Sequence, residues 1–268
     1  MLSRANRYGQ KLRNHPASPG VPLSDRIARE RASHESGKVH TNSAAIHRRF
    51  RHLLGNPNAL YGKKHFKEYI DRISPEALTL EIGCGEGLDL LQRRPFKLTA
   101  IDLSFRSLRG AQENYGAGAA VLQMDAHRTG FRDGSFDVVV GQSILHHLEY
   151  ERALQEVYRI LKVGGIAIFA EPLLDNPAAK LWRALTPEAR TIDERPLSRA
   201  QIIRGDALFG SHDHRFINLV STPVSMLTSF IFRQPDNALL LLAHRIDLML
   251  ERTAARYWMR TAYLVWKK

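Results

Sequence analysis

The chain has 268 residues, of which 44% are hydrophobic, so it can form one large domain with a buried core, with or without an appendage. Its single cysteine, Cys84, excludes an internal disulfide and a cysteine-based zinc site, and no apolar run reaches the ~18 residues of a membrane-spanning helix. The formal net charge is +12, and residues 1–51 contribute much of it, with eleven Lys and Arg against three acids. This cysteine usage suits a reducing compartment, and we expect a cytoplasmic protein.

The N-terminal residues 1–22 are predicted to form an irregular basic arm, because Pro16, Pro19, Gly20 and Pro22 interrupt regular structure. Such an arm can bind nucleic acid, anionic lipid or a phosphorylated substrate, or it can be a solvated tail. The sequence does not choose between a binding arm and a solvated tail, although we expect no tight binding of nucleic acid.

Residues 24–74 are predicted to be helical. The clearest case is the segment just before the first strand, where Phe66, Tyr69, Ile70 and Ile73 recur at intervals of three and four residues.

The most informative motif is Leu-Thr-Leu-Glu-Ile-Gly-Cys-Gly-Glu-Gly at residues 78–87. An apolar run ends at Glu81 and glycines follow, which is typical of a buried strand entering a tight turn beside a bound molecule. A carboxylate at this place repels a diphosphate and favours a cation or a ribose hydroxyl. The motif therefore indicates a nucleoside that carries positive charge.

A second acid, Asp102, ends the next apolar run, 17 residues after Gly85. Dinucleotide-binding folds also use an acid about 20 residues after the glycine loop to bind a ribose, so Asp102 supports a ribose without choosing the cofactor. The alternative role of this aspartate is the N-cap of a helix.

Further along the chain, apolar runs alternate with helical patterns. Strands are predicted near residues 78–82, 97–101, 119–123, 136–140 and 166–170, with a clear helix at Glu149–Leu161. This alternation predicts parallel pairing in a doubly wound α/β sheet. After Pro172 the predicted elements are an insert over residues 173–214 that caps the substrate site, a sixth strand at Phe216–Val224, a helix at Asp236–Arg252 and a final strand at Thr261–Trp266.

Five motifs follow one another in the chain, at residues 78–87, 97–102, 119–126, 136–148 and 161–172. Their order over roughly residues 60–172 resembles that of the class I methyltransferases of the small-molecule type, which use S-adenosylmethionine (SAM). The resemblance implies a Rossmann-like, seven-stranded, mostly parallel sheet of order 3-2-1-4-5-7-6 whose last strand is antiparallel. It also implies one domain over residues 23–268, with N-terminal helices at 24–74 and the insert after strand five.

The resemblance further implies which residues hold SAM. The methionine end of SAM is expected against Glu81, Gly83, Cys84, Gly85 and Gln142, the ribose at Asp102, and the adenine beside Leu103, Asp125 and Ala126. Tyr61 is expected to fold over the cofactor from the N-terminal side.

Two adjacent histidines, His146 and His147, follow strand four, where the acceptor must meet the methyl group. Histidine suits a general base because it titrates near neutral pH. The resemblance extends to phosphobase methyltransferases, which favours His146, and we expect only one of the two rings to face the site. The alternative is a polar side chain satisfied by backbone. No metal site is expected, because His212 and His214 alone are a weak ligand set.

The expected activity is therefore methyl transfer from SAM to a hydrophobic or mixed small-molecule acceptor, with an anionic group opposite Arg190 as an option. A hydroxyl acceptor is favoured, with carbon and nitrogen left open. One alternative is an RNA or protein methyltransferase that uses the basic arm, although Gly141-Gln-Ser-Ile stands where amino-methylating relatives carry an Asn-Pro-Pro-Tyr-type tetrad. Another alternative is a non-catalytic SAM-fold binding protein.

Overall fold

The computed structural model describes residues 22–36, 48–92, 97–177, 179–180 and 195–268. Nearly all of the predicted basic arm and the centre of the predicted cap, including Arg190, lie outside these residues. Among the residues described, no helix combines the length and the apolar character that crossing a membrane requires.

In the described residues, helices precede β1 and connect later strands. They are α1 (Leu23–Ser36), α2 (His52–Gly55), α3 (Pro57–Asp71), α4 (Phe105–Tyr115), α5 (Tyr150–Ile160), α6 (Arg199–Phe209), α7 (Ser221–Ile231) and α8 (Ala238–Glu251). The predicted N-terminal helices and the predicted helix at Asp236–Arg252 correspond to α1 to α3 and to α8.

The strands form one mixed sheet. They are β1 (Leu78–Ile82), β2 (Lys97–Asp102), β3 (Ala119–Gln123), β4 (Phe136–Gln142), β5 (Leu161–Pro172), β6 (Ser211–His212), β7 (Arg215–Ile217) and β8 (Thr261–Lys267). The order is β3-β2-β1-β4-β5-β8-β6, with β7 also paired to β8. Strands β1 to β5 are parallel and β8 is antiparallel to β5, which confirms the doubly wound α/β fold.

The sheet has eight strands rather than the predicted seven, because the sixth strand is divided into β6 and β7. Both pieces pair with β8 in antiparallel register. Between them, the Nδ1 atom of His214 accepts a hydrogen bond from the backbone N–H of Val265 at 3.2 Å. A side chain thus replaces the backbone acceptor and interrupts the ladder.

The predicted extent of strand six, Phe216–Val224, is wrong at its end, since α7 begins at Ser221. Asn218 has a positive φ of 69° and ends the strand. The carboxylate of Asp247 in α8 then accepts hydrogen bonds from the backbone N–H groups of Val220 and Ser221, at 2.7 and 3.0 Å. This carboxylate satisfies amides at the start of α7, a long-range contact that the local sequence does not encode.

Helices cover both faces of the sheet. On one face α5 and α6 pack on β1, β4, β5 and β8, where Trp266 is fully buried. On the other face α3 packs through Phe66 and Ile70. Residues 199–209 of the predicted cap form α6. They contribute Ile202 and Phe209 to the core that contains Trp266, so they serve as a helix layer on that face of the sheet.

Candidate active site

The loop after β1 lies at the carboxyl edge of the sheet and borders a cavity of about 480 Å³. Gly83 and Gly85 have positive φ values of 62° and 54°, which an L side chain rarely adopts. A Cβ at Gly83 would overlap the side chain of Ile144, whereas one at Gly85 would meet no atom within 4 Å. The first glycine therefore permits close packing and the second exposes its backbone to open space.

Glu81 is the buried acid of this loop, with 3% of its surface exposed. Its carboxylate accepts hydrogen bonds from the Tyr115 hydroxyl at 2.5 Å and from the Leu88 backbone N–H at 3.2 Å. Burial raises the pKa of Glu81 to about 7, against the opposing effect of these two bonds. A buried carboxylate whose protein partners are uncharged fits a ligand that brings a cation.

Asp102 ends β2 on the same cavity. One carboxylate oxygen accepts from the backbone N–H of Gly85 at 2.9 Å, and the other accepts from that of Ser104 at 2.8 Å. The carboxylate is thus held in place by two loops. Each oxygen keeps a further lone pair for a hydroxyl group.

Most of the predicted cofactor residues line this cavity. They are Glu81, Gly83, Cys84, Gly85, Asp102, Leu103, Ala126 and Gln142. Burial raises the pKa of the Cys84 thiol, which therefore stays protonated and acts as a small apolar side chain.

Asp125 is the predicted residue that does not line the cavity. One of its oxygens accepts from the backbone N–H and from Nδ1 of His127, at 2.9 and 2.6 Å. Burial alone would raise the pKa of Asp125, but these bonds outweigh it and hold the pKa below its usual value. The carboxylate stabilises the turn after β3, and His127 lines the cavity in its place.

His146 lies in a short 3-10 turn after β4 and lines the cavity. Its Nδ1 atom is 2.7 Å from a carboxylate oxygen of Glu171, which is fully buried at the end of β5. The other oxygen of Glu171 accepts from the backbone N–H groups of Ile144 and Leu145, at 2.9 and 2.8 Å. The carboxylate therefore fixes both the turn and the orientation of the imidazole.

His147 lines the cavity as well, so the expectation that only one histidine faces it is wrong. The two rings lie 4.2 Å apart at an angle of 40°. Successive side chains of a 3-10 turn point about 120° apart, so contacts outside the turn bring the two rings together: Glu171 holds one ring and α1 contacts the other. The Nδ1 atom of His147 is 3.2 Å from a carboxylate oxygen of Glu30 in α1.

Helix α1 closes one side of the cavity, a role that the sequence had suggested for Tyr61. It contributes Leu23, Arg26, Ile27, Glu30 and His34 to the lining. The helix is anchored by Glu35, whose carboxylate accepts from the first two N–H groups of α4, at 2.6 and 3.3 Å. Tyr61 instead contacts His244, with ring centroids 5.8 Å apart.

Sequence reasoning missed these α1 residues and Tyr115. A signal for α1 was present, since Arg26, Glu30 and His34 recur every four residues and therefore share one helix face. Tyr115 had no such signal, because its contact with Glu81 depends on how α4 packs.

Among the described residues, two groups of three side chains place histidine and carboxylate atoms close enough together to hold a metal ion. In one, Asp206, His212 and His214 meet, yet Nε2 of His214 lies 2.7 Å from Asp206 and its Nδ1 accepts from Val265. Both ring nitrogens of His214 thus serve the fold. The other cluster is Glu30, His34 and His147 at the cavity wall.

The comparisons with known proteins agree with this geometry. Residues 80–169 match the family model described as a methyltransferase domain. The chain is thus similar to methyltransferase domains over the stretch that holds the glycine loop, Asp102 and His146. Its cofactor is SAM, and the buried, uncharged surroundings of Glu81 and the ordered carboxylate of Asp102 fit its sulfonium or amino group and its ribose.

Among curated relatives, the chain is 30% identical over 134 residues to phthiotriol/phenolphthiotriol dimycocerosates methyltransferase 1 of Mycobacterium ulcerans, covering 47% of this chain and 49% of that protein. It is 36% identical over 108 residues to the demethylmenaquinone methyltransferase of Thermobifida fusca, covering 38% and 46%. The match thus spans about half the length of each relative.

Solved structures share the fold. A methyltransferase in complex with the Haloferax volcanii Trm112 activator superposes with a TM-score of 0.57 and 16% identity, over 87% of this chain and 96% of that one. A geranyl diphosphate methyltransferase in complex with GPP and sinefungin has a TM-score of 0.52 and 14% identity, over 76% of each chain.

Proposed function

We propose that the protein transfers the methyl group of SAM to a hydroxyl group of a hydrophobic small molecule, with His146 as the general base. The observation that carries this proposal is the His146–Glu171 pair, in which a buried carboxylate lies 2.7 Å from Nδ1 of an imidazole on the cavity wall. A base oriented by a third group is the arrangement that activates a hydroxyl nucleophile.

The cofactor supplies a methyl group that is already activated as part of a sulfonium. The residues of the chain have two tasks, which are to hold both reactants in line and to accept one proton. Glu81, Gly85 and Asp102 serve the first task on the cofactor side.

His146 serves the second task. When Nδ1 carries the proton directed at Glu171, Nε2 is the basic nitrogen of the ring, and it accepts the hydroxyl proton as the O–CH₃ bond forms and the S–CH₃ bond breaks. Glu171 then stabilises the imidazolium, and it is held for this purpose by the amides of Ile144 and Leu145.

The hydrophobic acceptor is supported by the apolar part of the cavity lining and by the relatives. Leu23 and Ile27 of α1 and Ile144 and Leu148 after β4 present apolar side chains there. The relatives named above are called methyltransferases of demethylmenaquinone and of phthiotriol dimycocerosates. A carbon or nitrogen acceptor remains the alternative for the atom that is methylated.

The test is incubation of the full chain with methyl-labelled SAM and fractionated cell extract, with and without nuclease and protease. We expect the label in a nuclease-resistant and protease-resistant fraction that partitions into organic solvent. Label that disappears after nuclease or protease treatment would contradict a small-molecule acceptor. A labelled product that is stable as an ether identifies oxygen as the methylated atom.

A further inference from the structure

Helix α7 has its polarity reversed relative to an ordinary surface helix. Its buried side chains are small and polar, whereas its large apolar side chains face outward. The buried set is Ser221, Thr222, Ser225, Thr228 and Ser229. A helix that packs on a soluble core normally shows the opposite pattern.

The polar side of α7 is buried because it hydrogen-bonds to α2 and to its own backbone. The Oγ atom of Ser229 accepts from the backbone N–H of His52 at 3.1 Å and donates to the carbonyl of Ser225 at 2.7 Å. The Oγ1 atom of Thr228 lies 3.0 Å from Nδ1 of His52. These specific contacts fix the rotation of the helix, so its apolar side is directed outward by the fold.

The outward side continues onto α8, which packs against α7. Seven large apolar side chains of the two helices are between 45% and 65% exposed. One of them, Leu241, lies on a different side of α8 from Leu239 and Leu242, because successive helical residues are turned by about 100°. We call the other six the α7–α8 apolar face: Leu227, Phe230, Ile231, Leu239, Leu242 and Met249. Leu227, Phe230 and Ile231 are spaced by three and four residues and so lie on one side of α7. An apolar face of this kind marks an interaction site rather than ordinary surface.

Basic side chains surround this face. Arg51 donates to the carbonyl of Phe232, just after α7, at 2.7 Å. The exposed Arg233 follows in the loop, and the exposed Arg245 and Arg252 belong to α8 and its end. The loop also carries the exposed acid Asp236, which leaves the rim basic.

The face and the cavity share one edge of the sheet. Strand β7 is antiparallel to β8, which is antiparallel to β5, so β7 runs in the direction of β1 and β4. Helix α7 follows β7 and therefore starts at the carboxyl edge, where the cavity lies. The loop after β5 is tied to this region by Asn176, which donates to the carbonyl of Trp258 at 2.9 Å.

We propose that the α7–α8 apolar face docks on an anionic lipid surface, with the six apolar side chains entering the headgroup region and the arginines contacting lipid phosphates. Charge decides between the two main occupants. A second copy would bring two arginine rims together, whereas an anionic bilayer complements them. Helices of 11 and 14 residues are about 17 and 21 Å long. They are too short to cross the ~30 Å hydrocarbon core, so in this proposal they lie in the plane of the membrane surface.

The experiment is co-sedimentation of the full chain with large unilamellar vesicles, one set of pure phosphatidylcholine and one with about 30 mol% phosphatidylglycerol. We expect binding to the anionic vesicles that weakens at high salt. The variant Leu227→Glu/Leu242→Glu should reduce the partition coefficient about tenfold or more, because charged side chains do not enter the apolar region. The assay contains neither SAM nor acceptor, so its outcome is independent of the proposed methyl transfer.

The matched control is Val163→Glu, since Val163 is 91% exposed and lies near the amino end of β5, at the opposite edge of the sheet. It should change the partition coefficient less than about twofold. Thermal melts of all variants verify that the fold is retained. Absence of binding to the anionic vesicles, or binding that the double variant leaves intact, overturns the proposal. A dimer in sedimentation velocity that Leu227→Glu/Leu242→Glu converts to a monomer also overturns it, in favour of a second copy.

Discussion

Glu81 and Glu171 are both buried at the carboxyl ends of parallel strands, yet their surroundings differ. The partners of Glu81 are a phenol and an amide, neither of which is charged, and burial raises the pKa of Glu81 to about 7. Glu171 contacts the imidazole of His146 and two backbone amides. Among the residues described, the first carboxylate has uncharged hydrogen-bond partners and suits a cationic ligand, whereas the second serves a side chain of the protein itself.

The largest expected effect concerns the Glu171 side of this comparison. His146→Ala should lower kcat about 10²-fold or more, because the acceptor loses its general base. SAM affinity should stay within about twofold, since Glu81 and Asp102 are untouched. Fixed-time assays with labelled SAM measure kcat, and calorimetry measures the affinity for SAM.

His147→Ala is the matched control, because His147 lines the same cavity but contacts Glu30 rather than Glu171. It should mainly lower thermal stability, by loosening α1. Turnover of His146→Ala equal to that of the wild type, at matched folding and SAM affinity, would show that alignment alone drives the reaction.

The next effect concerns SAM binding. Asp102→Ala should weaken binding of SAM and S-adenosylhomocysteine by about 1–3 kcal/mol, because ribose hydroxyls lose a charged acceptor and two loop amides lose their partner. Calorimetry measures this change, with Asp133→Ala, an 82% exposed acid, as control. Binding of NAD without binding of SAM would contradict the assignment of the cofactor.

The pH dependence of the free energy of unfolding tests whether Glu81 is without a counter-charge among the described residues. Its pKa is raised from 4.5 to about 7 on folding, so between these values the folded state holds a proton that the unfolded state has released. The free energy of unfolding should therefore fall as pH rises through this window, by about 3 kcal/mol in total.

The variant Glu81→Gln should flatten this slope while weakening SAM binding. Denaturant titrations of the SAM-free protein between pH 4.5 and 8 measure the slope. Saturating SAM should also reduce the slope in the wild type, because a bound cation stabilises the ionised carboxylate. An unchanged slope in Glu81→Gln would assign the pH dependence to another group.

The sequence predicts these two carboxylates unequally. Glu81 and Asp102 were identified because the glycine loop and the apolar runs are local patterns that any residue-level reading detects. The contact of Glu171 with His146 was not predicted, since it joins residues 25 positions apart in sequence. The strands β1 to β4 were likewise predicted to within two residues. Strand β5 begins at Leu161 instead of residue 166, and the end of strand six depended on the distant Asp247.

The α7–α8 apolar face shows another limit of sequence reading. The leucines at 239–242 lie in the predicted helix at Asp236–Arg252, but which of them face outward is decided by packing. Leu240 is fully buried while Leu241 and Leu242 are exposed. Periodicity indicates that a face exists, but only tertiary contacts show which side is covered.

The smallest expected effect concerns the basic arm, which precedes the helix that closes the cavity. Deleting residues 1–21 keeps Pro22, whose carbonyl accepts from Asp25 and Arg26 at 3.1 and 3.3 Å, so α1 should remain folded. Turnover should then stay within about twofold of the full chain, and a gel shift with RNA should vanish near physiological salt.

Deleting residues 1–36 also removes Arg26, Glu30 and the Glu35 anchor, and should weaken SAM binding. If the shorter deletion abolished a salt-resistant RNA complex together with turnover, the arm would belong to an RNA-binding site, because loss of α1 could not account for it.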